Sequence, residues 1–486
     1  LLVAVAVLAG LGVTADLTAP EPAATSARTP RIGPAVPVAE SDGTCPDPAV
    51  DASTETRVSI GAPGVTGGGA AGASGPGSAR LARLDGRRLP LDVGAAAAGS
   101  VLLTADQGPL VARADGAAAP GLAVGQLTRS TVDAVRGLLG TRCSTAGGDM
   151  WFVGSGSVVG QRGRVYLSNP EAAPAVVDVT LYGPDGAIPA PAGRGIAVAA
   201  GTQKVTLLDA LAPGTRVFAV HVHARTGRIA AAVRDQQIDG LTPRGADWLP
   251  EAAPPARRQL VAGVVSGTGE RVLQVVAPGE SDAIVKLQLV TETGAFTPSG
   301  LDVLEVKAGS VATVDLAPYA GTDPVAVWLD SDVPVTAGVL ARATGTGALT
   351  DIAYTAAGRP LTPSTPGAVP EVRTGSGIAS TLLLATSGAA ATVRVAPLPP
   401  ATGTPQEVTV PARSQVVLDL ATVSTASGFS VSVVPLRGSG PVYAVRSVNE
   451  AEAKGPLLTT EPVPPGRWAV RVPRVLADLS TGLRVR

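Results

Sequence analysis

The sequence predicts an all-β protein: tandem immunoglobulin-like antiparallel β-sandwich domains that follow an N-terminal hydrophobic segment. Composition, the alternation of apolar and polar residues, and an internal repeat of about one hundred residues support this prediction. The chain has 486 residues, of which 59 are Gly and 43 are Pro. Because proline removes a backbone donor and glycine weakens the interior of an element, this composition favours short strands joined by turns over long helices.

Apolar and polar residues alternate with a period of two in several segments. Residues 177–182 read Val-Asp-Val-Thr-Leu-Tyr, and residues 285–290 read Val-Lys-Leu-Gln-Leu-Val. Successive side chains of a strand point to opposite faces, so this pattern predicts antiparallel strands with one face buried.

The chain repeats itself. Segments 164–191 and 271–300 share the order strand, proline-containing turn, alternating strand, and Pro170 and Pro278 occupy the same place 108 residues apart (278 − 170 = 108). A third copy is visible around residues 412–420, and a degenerate first copy precedes Cys143. About seven short strands per hundred residues is typical of immunoglobulin-like sandwiches; a β-propeller with two blades per copy is the alternative.

These repeats divide the chain into six segments. They are a signal peptide or truncated transmembrane anchor (1–15), a Pro/Ala-rich linker (16–56), a degenerate first β unit (57–145), two β-sandwiches (146–250 and 251–365) and a β-sandwich with a C-terminal tail (366–486).

The first fifteen residues carry no charge. The run is shorter than the ~20 residues of a membrane-spanning helix, and Val13-Thr14-Ala15 has the form of a signal-peptide cleavage site. A truncated anchor fits equally well. Either way, the sequence predicts an extracytoplasmic protein, tethered to the cell membrane or secreted, that meets the membrane only through this segment.

Charge argues against a nucleic-acid partner. The formal net charge is −1, and charged residues make up 16% of the chain. No basic field is available to neutralise phosphates.

The chain has two cysteines, Cys45 and Cys143. In an exported protein such a pair indicates one disulfide; the alternative is two buried thiols. We expect reduction to lower the thermal stability of the N-terminal unit and to leave the units after Arg257 unchanged.

Catalytic and cofactor motifs are absent from the sequence, and no cofactor is predicted. His221 and His223 share one face of a predicted strand and could ligate zinc or copper if a neighbouring strand supplied a third ligand. A polar strand face explains them as well, and no metal is predicted.

Two groups of acidic residues could serve glycoside hydrolysis, which needs paired carboxylates. One is Asp330 with Asp332, which a loop before Pro334 would explain through turn chemistry. The other is Asp239, Asp247 and Glu251.

Among the tryptophans, Trp151 and Trp248 lie in predicted loops and are candidate contacts for a ligand or partner.

Several motifs resemble a known family. They are MWFVGSG from Met150, LSNP from Leu167, LYGPDG from Leu181 and DGLTPRGADWLP from Asp239. They resemble DUF5719, an actinobacterial family of secreted proteins of unknown function, over about Cys45 to Val448. The resemblance implies an envelope-associated, N-terminally anchored protein without an assigned activity, and it supplies no catalytic or binding residue.

Together these features predict a non-catalytic extracytoplasmic envelope protein that presents tandem β-sandwich surfaces to an envelope protein or cell-wall glycan. The alternative is a carbohydrate-active enzyme or a glycan-binding protein of the cell wall.

Overall fold

The computed structural model describes residues 32–48, 54–64, 75–103, 108–131, 135–345 and 347–473. Strands β1 (Ile32–Pro37) and β35 (Ala469–Pro473) form a two-stranded sheet, and the other strands belong to a compact unit, Pro37–Ala469. The predicted signal peptide or anchor, 1–15, lies outside the described residues. Within those ranges, no helix has the length and apolar character needed to cross a membrane.

The compact unit contains four two-layer β-sandwiches in chain order. Sandwich 1 consists of β2 (Glu40–Cys45), β3 (Glu55–Ala62), β4 (Ser78–Arg83), β5 (Arg88–Gly94), β6 (Ala97–Leu103), β7 (Leu110–Asp115), β8 (Ala123–Ser130) and β9 (Gly137–Arg142). Sandwich 2 consists of β10 (Asp149–Val153), β11 (Arg164–Ser168), β12 (Ala175–Gly183), β13 (Gly186–Ile188), β14 (Ile196–Val198), β15 (Gln203–Leu207), β16 (Ala219–Thr226), β17 (Ala230–Asp239) and β18 (Thr242–Leu249).

The second half of the unit has the same construction. Sandwich 3 consists of β19 (Ala256–Val264), β20 (Arg271–Ala277), β21 (Ala283–Thr291), β22 (Gly294–Phe296), β23 (Leu304–Val306), β24 (Ser310–Asp315), β25 (Val325–Ala343) and β26 (Asp351–Ala356). Sandwich 4 consists of β27 (Gly367–Arg373), β28 (Ile378–Thr386), β29 (Ala391–Pro397), β30 (Gln406–Val410), β31 (Gln415–Asp419), β32 (Gly428–Pro435), β33 (Val442–Glu450) and β34 (Leu457–Val463). The described helices are short: α1 (Leu208–Leu211), α2 (Ala317–Ala320) and the 3₁₀ turns Gly116–Ala118, Pro191–Gly193 and Leu420–Thr422.

All four sandwiches share one strand order. When the strands of a sandwich are counted from one to eight, one layer has the order first, sixth, third, fourth, and the other has fifth, second, seventh, eighth. In sandwich 2 both β13 and β14 pair with β12 at the fourth position. In sandwich 3 the long β25 supplies the sixth and seventh strands, because its first half pairs with β21 and its second half with β20. The predicted all-β sandwich fold is therefore confirmed.

The cores lie between the layers and follow the alternation in the sequence. In β12 every second residue from Ala175 to Gly183 is buried. Burying one Val or Leu side chain contributes about 1.5–3 kcal/mol. Each sandwich has its own such cluster, made almost entirely of Val, Leu, Ile and Ala.

The segment predicted as a linker, 16–56, contains a strand of sandwich 1. Strand β2 pairs with β7 in continuous register from Glu40↔Asp115 to Cys45↔Leu110. Sandwich 1 therefore begins before residue 57. The sequence of β2, ESDGTC, is that of a polar edge strand, in which apolar and polar residues do not alternate. The sequence pattern therefore did not predict a strand here.

Cys45 and Cys143 form a disulfide. Cys45 ends β2 and Cys143 directly follows β9, so the bond ties the first strand of sandwich 1 to its last. Both side chains are buried in the core of sandwich 1.

The eighth strands of the four sandwiches meet at a common centre. Each of β9, β18, β26 and β34 is the edge strand of its layer, and β9 contacts β18, β18 contacts β26, β26 contacts β34, and β34 contacts β9. An edge strand leaves a row of N–H groups unpaired. At this centre buried carboxylates accept them.

Asp351, which begins β26, is fully buried and accepts N–H groups from all four sandwiches. Its Oδ2 accepts from Leu138 N of sandwich 1 at 3.0 Å and from Leu458 N of sandwich 4 at 2.9 Å. Its Oδ1 accepts from Ile352 N at 2.9 Å and from Ala246 N of sandwich 2 at 3.4 Å. One side chain thus binds the edges of four sandwiches.

A second buried carboxylate, Asp247 on β18, lies nearby. Its Oδ1 accepts from Gly140 N at 3.0 Å and Trp248 N at 2.8 Å, and its Oδ2 is 3.1 Å from Thr459 Oγ1. Burial raises the pKa of Asp247 well above its ordinary value, and repulsion from Asp351 adds to this. Burial also raises the pKa of Asp351 to about 7, against the lowering effect of its backbone donors.

These pKa shifts predict that the protein is more stable at pH 5.5 than at pH 7.5. The folded state keeps a proton on Asp351 up to about pH 7, whereas the unfolded state releases it near pH 4. The contribution of Asp351 to stability therefore falls as pH rises between these values, by up to about 1.4 kcal/mol per pH unit, and levels off above pH 7. Urea unfolding at constant ionic strength measures this, and a lower unfolding free energy at pH 5.5 would contradict it.

Candidate functional site: a charged cavity at the centre of the four sandwiches

A cavity of about 320 Å³ lies at the C-terminal ends of the four central strands. Its wall is built from the segments in which these strands end or continue: 140–145, 249–253, 356–359 and 460–467. All four sandwiches contribute to the wall, which also includes Asp42 of β2 and Asp149 of β10, so the cavity exists only when all four are assembled.

The cavity wall carries charges of both signs. Its acidic residues are Asp42, Asp149, Glu251 and Glu461, and its basic residues are Arg142, Arg359 and Arg467. The arginines of such a wall can bind anionic groups or hydrogen-bond acceptors of a ligand. Its carboxylates can bind hydrogen-bond donors of the same ligand.

Glu251 lies just after β18 and is exposed on the cavity wall. Burial raises the pKa of its carboxyl group, Arg359 and Arg467 oppose that rise, and Asp149 adds to it. Asp42 of sandwich 1 behaves similarly, since burial is again the largest cause of its raised pKa.

Arg142 ends β9 and is half-buried on the cavity wall. Nη1 donates to the carbonyl oxygen of Ala368 at 3.1 Å. Loss of water lowers the pKa of Arg142, and the nearby Glu461 opposes this. Glu461 itself accepts from Arg446 Nη2 at 2.9 Å. Arg142 is therefore a cation on the cavity wall that is not bound by a carboxylate in the described contacts.

Trp248 is 1% exposed and lies at the contact between sandwiches 1 and 2. Its ring packs edge-on against Tyr166, with centroids 5.0 Å apart, and Arg234 lies over both rings. Arg234 also donates to the carbonyl oxygen of Pro48 in sandwich 1. The ring of Trp248 is thus covered by protein and is not accessible to an external ligand.

Trp151 is in a different position. It is 5% exposed, yet with Tyr182 it lines a second pocket of about 470 Å³ between sandwiches 2 and 3. Pro278, Glu280 and Pro334 form the opposite side of that pocket. Trp151 therefore remains a candidate contact for a ligand.

His221 and His223 lie on β16, and the structure brings them beside Asp149 on the neighbouring β10. His221 Nε2 is 2.9 Å from Asp149 Oδ2, and His223 Nδ1 is 3.7 Å from the same oxygen. The sequence identified the two histidines but not the polar group beside them, which is Asp149. Asp149 also lines the central cavity.

Of the acidic groups considered in the sequence, only Glu251 faces the cavity. Asp247 is buried at the centre, and Asp239 is exposed at the end of β17. The predicted loop at Asp330 and Asp332 is wrong, because both residues lie inside β25. There Asp332 accepts from Ile284 N across the sheet, which a turn prediction does not anticipate.

A family model described as "Family of unknown function (DUF5719)" matches residues 95–421. The chain belongs to this family. The match covers the central strands β9, β18 and β26 and most of the cavity wall, whereas Asp42, β34 and Arg467 lie outside it.

Other comparisons add little to the DUF5719 assignment. No curated protein matches the sequence. Six solved chains match, among them "Crystal Structure of Thermotoga maritima 1070", with 14% identity over 21% of this chain and 93% of that chain and a TM-score of 0.19.

In this DUF5719 protein, sequence reasoning missed most of the cavity residues. Asp42, Arg142, Asp149, Arg359 and Arg467 belong to no local motif. They come together only through the packing of four sandwiches, so no signal in one segment of the chain identifies them.

Proposed function

We propose that this protein is a non-catalytic binding protein of the cell envelope that presents the cavity face of its four sandwiches to a protein or cell-wall glycan partner. The observation that carries the proposal is the cavity wall, which takes residues from all four sandwiches and combines carboxylates with arginines. The uncharged N-terminal run and the disulfide support a place outside the cytoplasm.

The cavity size limits what enters it. Pockets for small ligands are about 300–1,000 Å³, so a cavity of about 320 Å³ accommodates one or two sugar units or amino-acid residues. We propose that the cavity holds the end of a larger partner. Arg142, Arg359 and Arg467 would bind its carboxylate groups, and Glu251 would bind its hydroxyl or amino groups.

The double variant Arg359→Ala/Arg467→Ala tests the proposal. We expect it to bind purified cell-wall glycan or an envelope-protein fraction at least tenfold more weakly than the native chain, because two cations are removed from one wall. Cosedimentation and calorimetry measure this. Arg394→Ala, at an exposed position on β29, is the matched control and should bind as the native chain does. Equal binding by the double variant would refute the proposal.

A second candidate function is glycan hydrolysis, which the presence of Asp42, Asp149 and Glu251 in one cavity favours. Hydrolysis needs one carboxylic acid and one carboxylate about 5–10 Å apart. New reducing ends released from cell-wall glycan by the native chain, and not by Glu251→Gln, would establish this function in place of the first. Binding without release would support the first.

A further inference from the structure

The two histidines of the chain are its only ones, and both lie on one strand face beside the same carboxylate. Strands β10 and β16 are antiparallel neighbours in which Asp149 is opposite His223 and Trp151 is opposite His221. Because alternate residues share a face, these four side chains lie on the same side of the sheet. Met150, Phe152, Val220 and Val222 point the other way, into the core of sandwich 2.

We propose that Asp149, His221 and His223 form a zinc site. Their ligand atoms all lie within 4.8 Å of one another. Around a tetrahedral Zn²⁺ with bonds of about 2.0–2.1 Å, ligand atoms are about 3.3 Å apart. The distances from Asp149 Oδ2 to the two imidazole nitrogens, 2.9 and 3.7 Å, lie on either side of this value.

Trp151 fixes two of the three ligands. Its Nε1–H donates to Asp149 Oδ1 at 3.0 Å, which leaves Oδ2 for the metal. Its ring stacks on the imidazole of His221 with centroids 4.0 Å apart and planes 9° apart. Such outer contacts orient metal ligands and are typical of metal sites.

A simple hydrogen bond between His221 and Asp149 does not account for the position of His223, whereas a zinc site does. That bond needs one histidine, whereas the second histidine also has a nitrogen within 3.7 Å of the same oxygen. Asp178, opposite His223 on β12, is not a further ligand in this arrangement, because its carboxylate accepts from Arg225 Nε and Gly195 N.

The site would keep a coordination position open. The side chains of Asp149 and His223 are each 52% exposed, so water or a donor atom from a partner can reach the ion. Two imidazoles and one carboxylate with an open position are a ligand set that Zn²⁺ accepts. Copper(II) binds such nitrogen and oxygen ligands more tightly and is the competing ion.

The test uses the whole chain purified without a polyhistidine tag, since added histidines would mask the site. After dialysis against Zn²⁺ at pH 7.5, we expect one equivalent by elemental analysis and a Kd of about 10 µM or below by calorimetry. His223→Ala and Asp149→Asn should each weaken binding at least tenfold, and Co²⁺ should give the visible absorption of a tetrahedral complex. Trp151→Phe should weaken binding about tenfold or more.

Asp178→Asn is the matched control, because it alters a carboxylate on the same sheet face and leaves the three ligands in place. It should bind zinc as the native chain does. Native-like binding by His223→Ala, or a native Kd above 1 mM, would overturn the proposal. Binding of Cu²⁺ alone, with no Zn²⁺ at these concentrations, would overturn the choice of zinc. The zinc measurement does not depend on the glycan or protein partner proposed above.

Discussion

At pH 8, where the folded protein carries Asp351 mainly as the carboxylate, Asp351→Asn is expected to destabilise the protein by about 4 kcal/mol. The native carboxylate presents two oxygens to four backbone N–H groups, two on each oxygen. An asparagine amide has one oxygen and one NH₂ group, so in either orientation its NH₂ faces two buried donors. A buried donor without an acceptor costs about 1–3 kcal/mol. Urea unfolding followed by circular dichroism measures the loss.

The matched control is Asp247→Asn, in the same buried centre. There Oδ1 accepts both backbone N–H groups, and Oδ2 meets only the hydroxyl of Thr459. An amide can keep its oxygen at the first place and donate to the hydroxyl at the second. We therefore expect a change of at most about 1 kcal/mol. Equal stability of the two variants would show that Asp351 does not hold the centre together.

Much of the fold could be predicted from local patterns. The alternation in β12 and β21 identified half-buried strands, and the offset of 108 residues between Pro170 and Pro278 located equivalent turns. The third copy, around residues 412–420, contains β31, the fifth strand of sandwich 4. These features depend on neighbours along the chain, so a sequence pattern contains them.

The arrangement of the four sandwiches could not be predicted. Asp247 and Asp351 look like ordinary turn or site carboxylates in sequence, and only the packing of four edge strands explains their burial. The linker prediction failed for the same reason, since β2 has a polar edge-strand sequence.

The histidine site was only partly predictable from the sequence. The spacing of His221 and His223 placed them on one face, and the need for a third ligand from a neighbouring strand was clear. Which strand lies beside β16, and in what register, depends on contacts about 70 residues apart. No pattern within either segment encodes that pairing.

Replacing both cysteines, Cys45→Ser and Cys143→Ser, is expected to lower the free energy of unfolding by about 3–5 kcal/mol. The bond closes a loop with a sequence separation of 98, for which the chain-entropy model gives about 4.7 kcal/mol. Thermal and urea unfolding of the native and double-serine chains measure the difference. Adding reductant to the double-serine chain is the control and should change nothing.

The structure changes the prediction of which sandwiches lose stability when the disulfide is removed. From sequence alone, the units after Arg257 were expected to be unaffected. Yet β9 directly precedes Cys143 and supplies Leu138 N to Asp351 of sandwich 3. Arg136, in the same segment, donates to the carbonyl oxygens of Thr350 in sandwich 3 and Pro456 in sandwich 4.

Loosening sandwich 1 therefore removes hydrogen-bond donors from Asp351 and Thr350 of sandwich 3 and from Pro456 of sandwich 4. We expect reduction to speed hydrogen exchange in β26 and β34 as well as in sandwich 1, because their shared centre opens when β9 separates. Mass spectrometry of exchanged peptides measures this. If faster exchange stopped at residue 143, the sandwiches would be energetically independent, and the buried carboxylates would join them without coupling their stability.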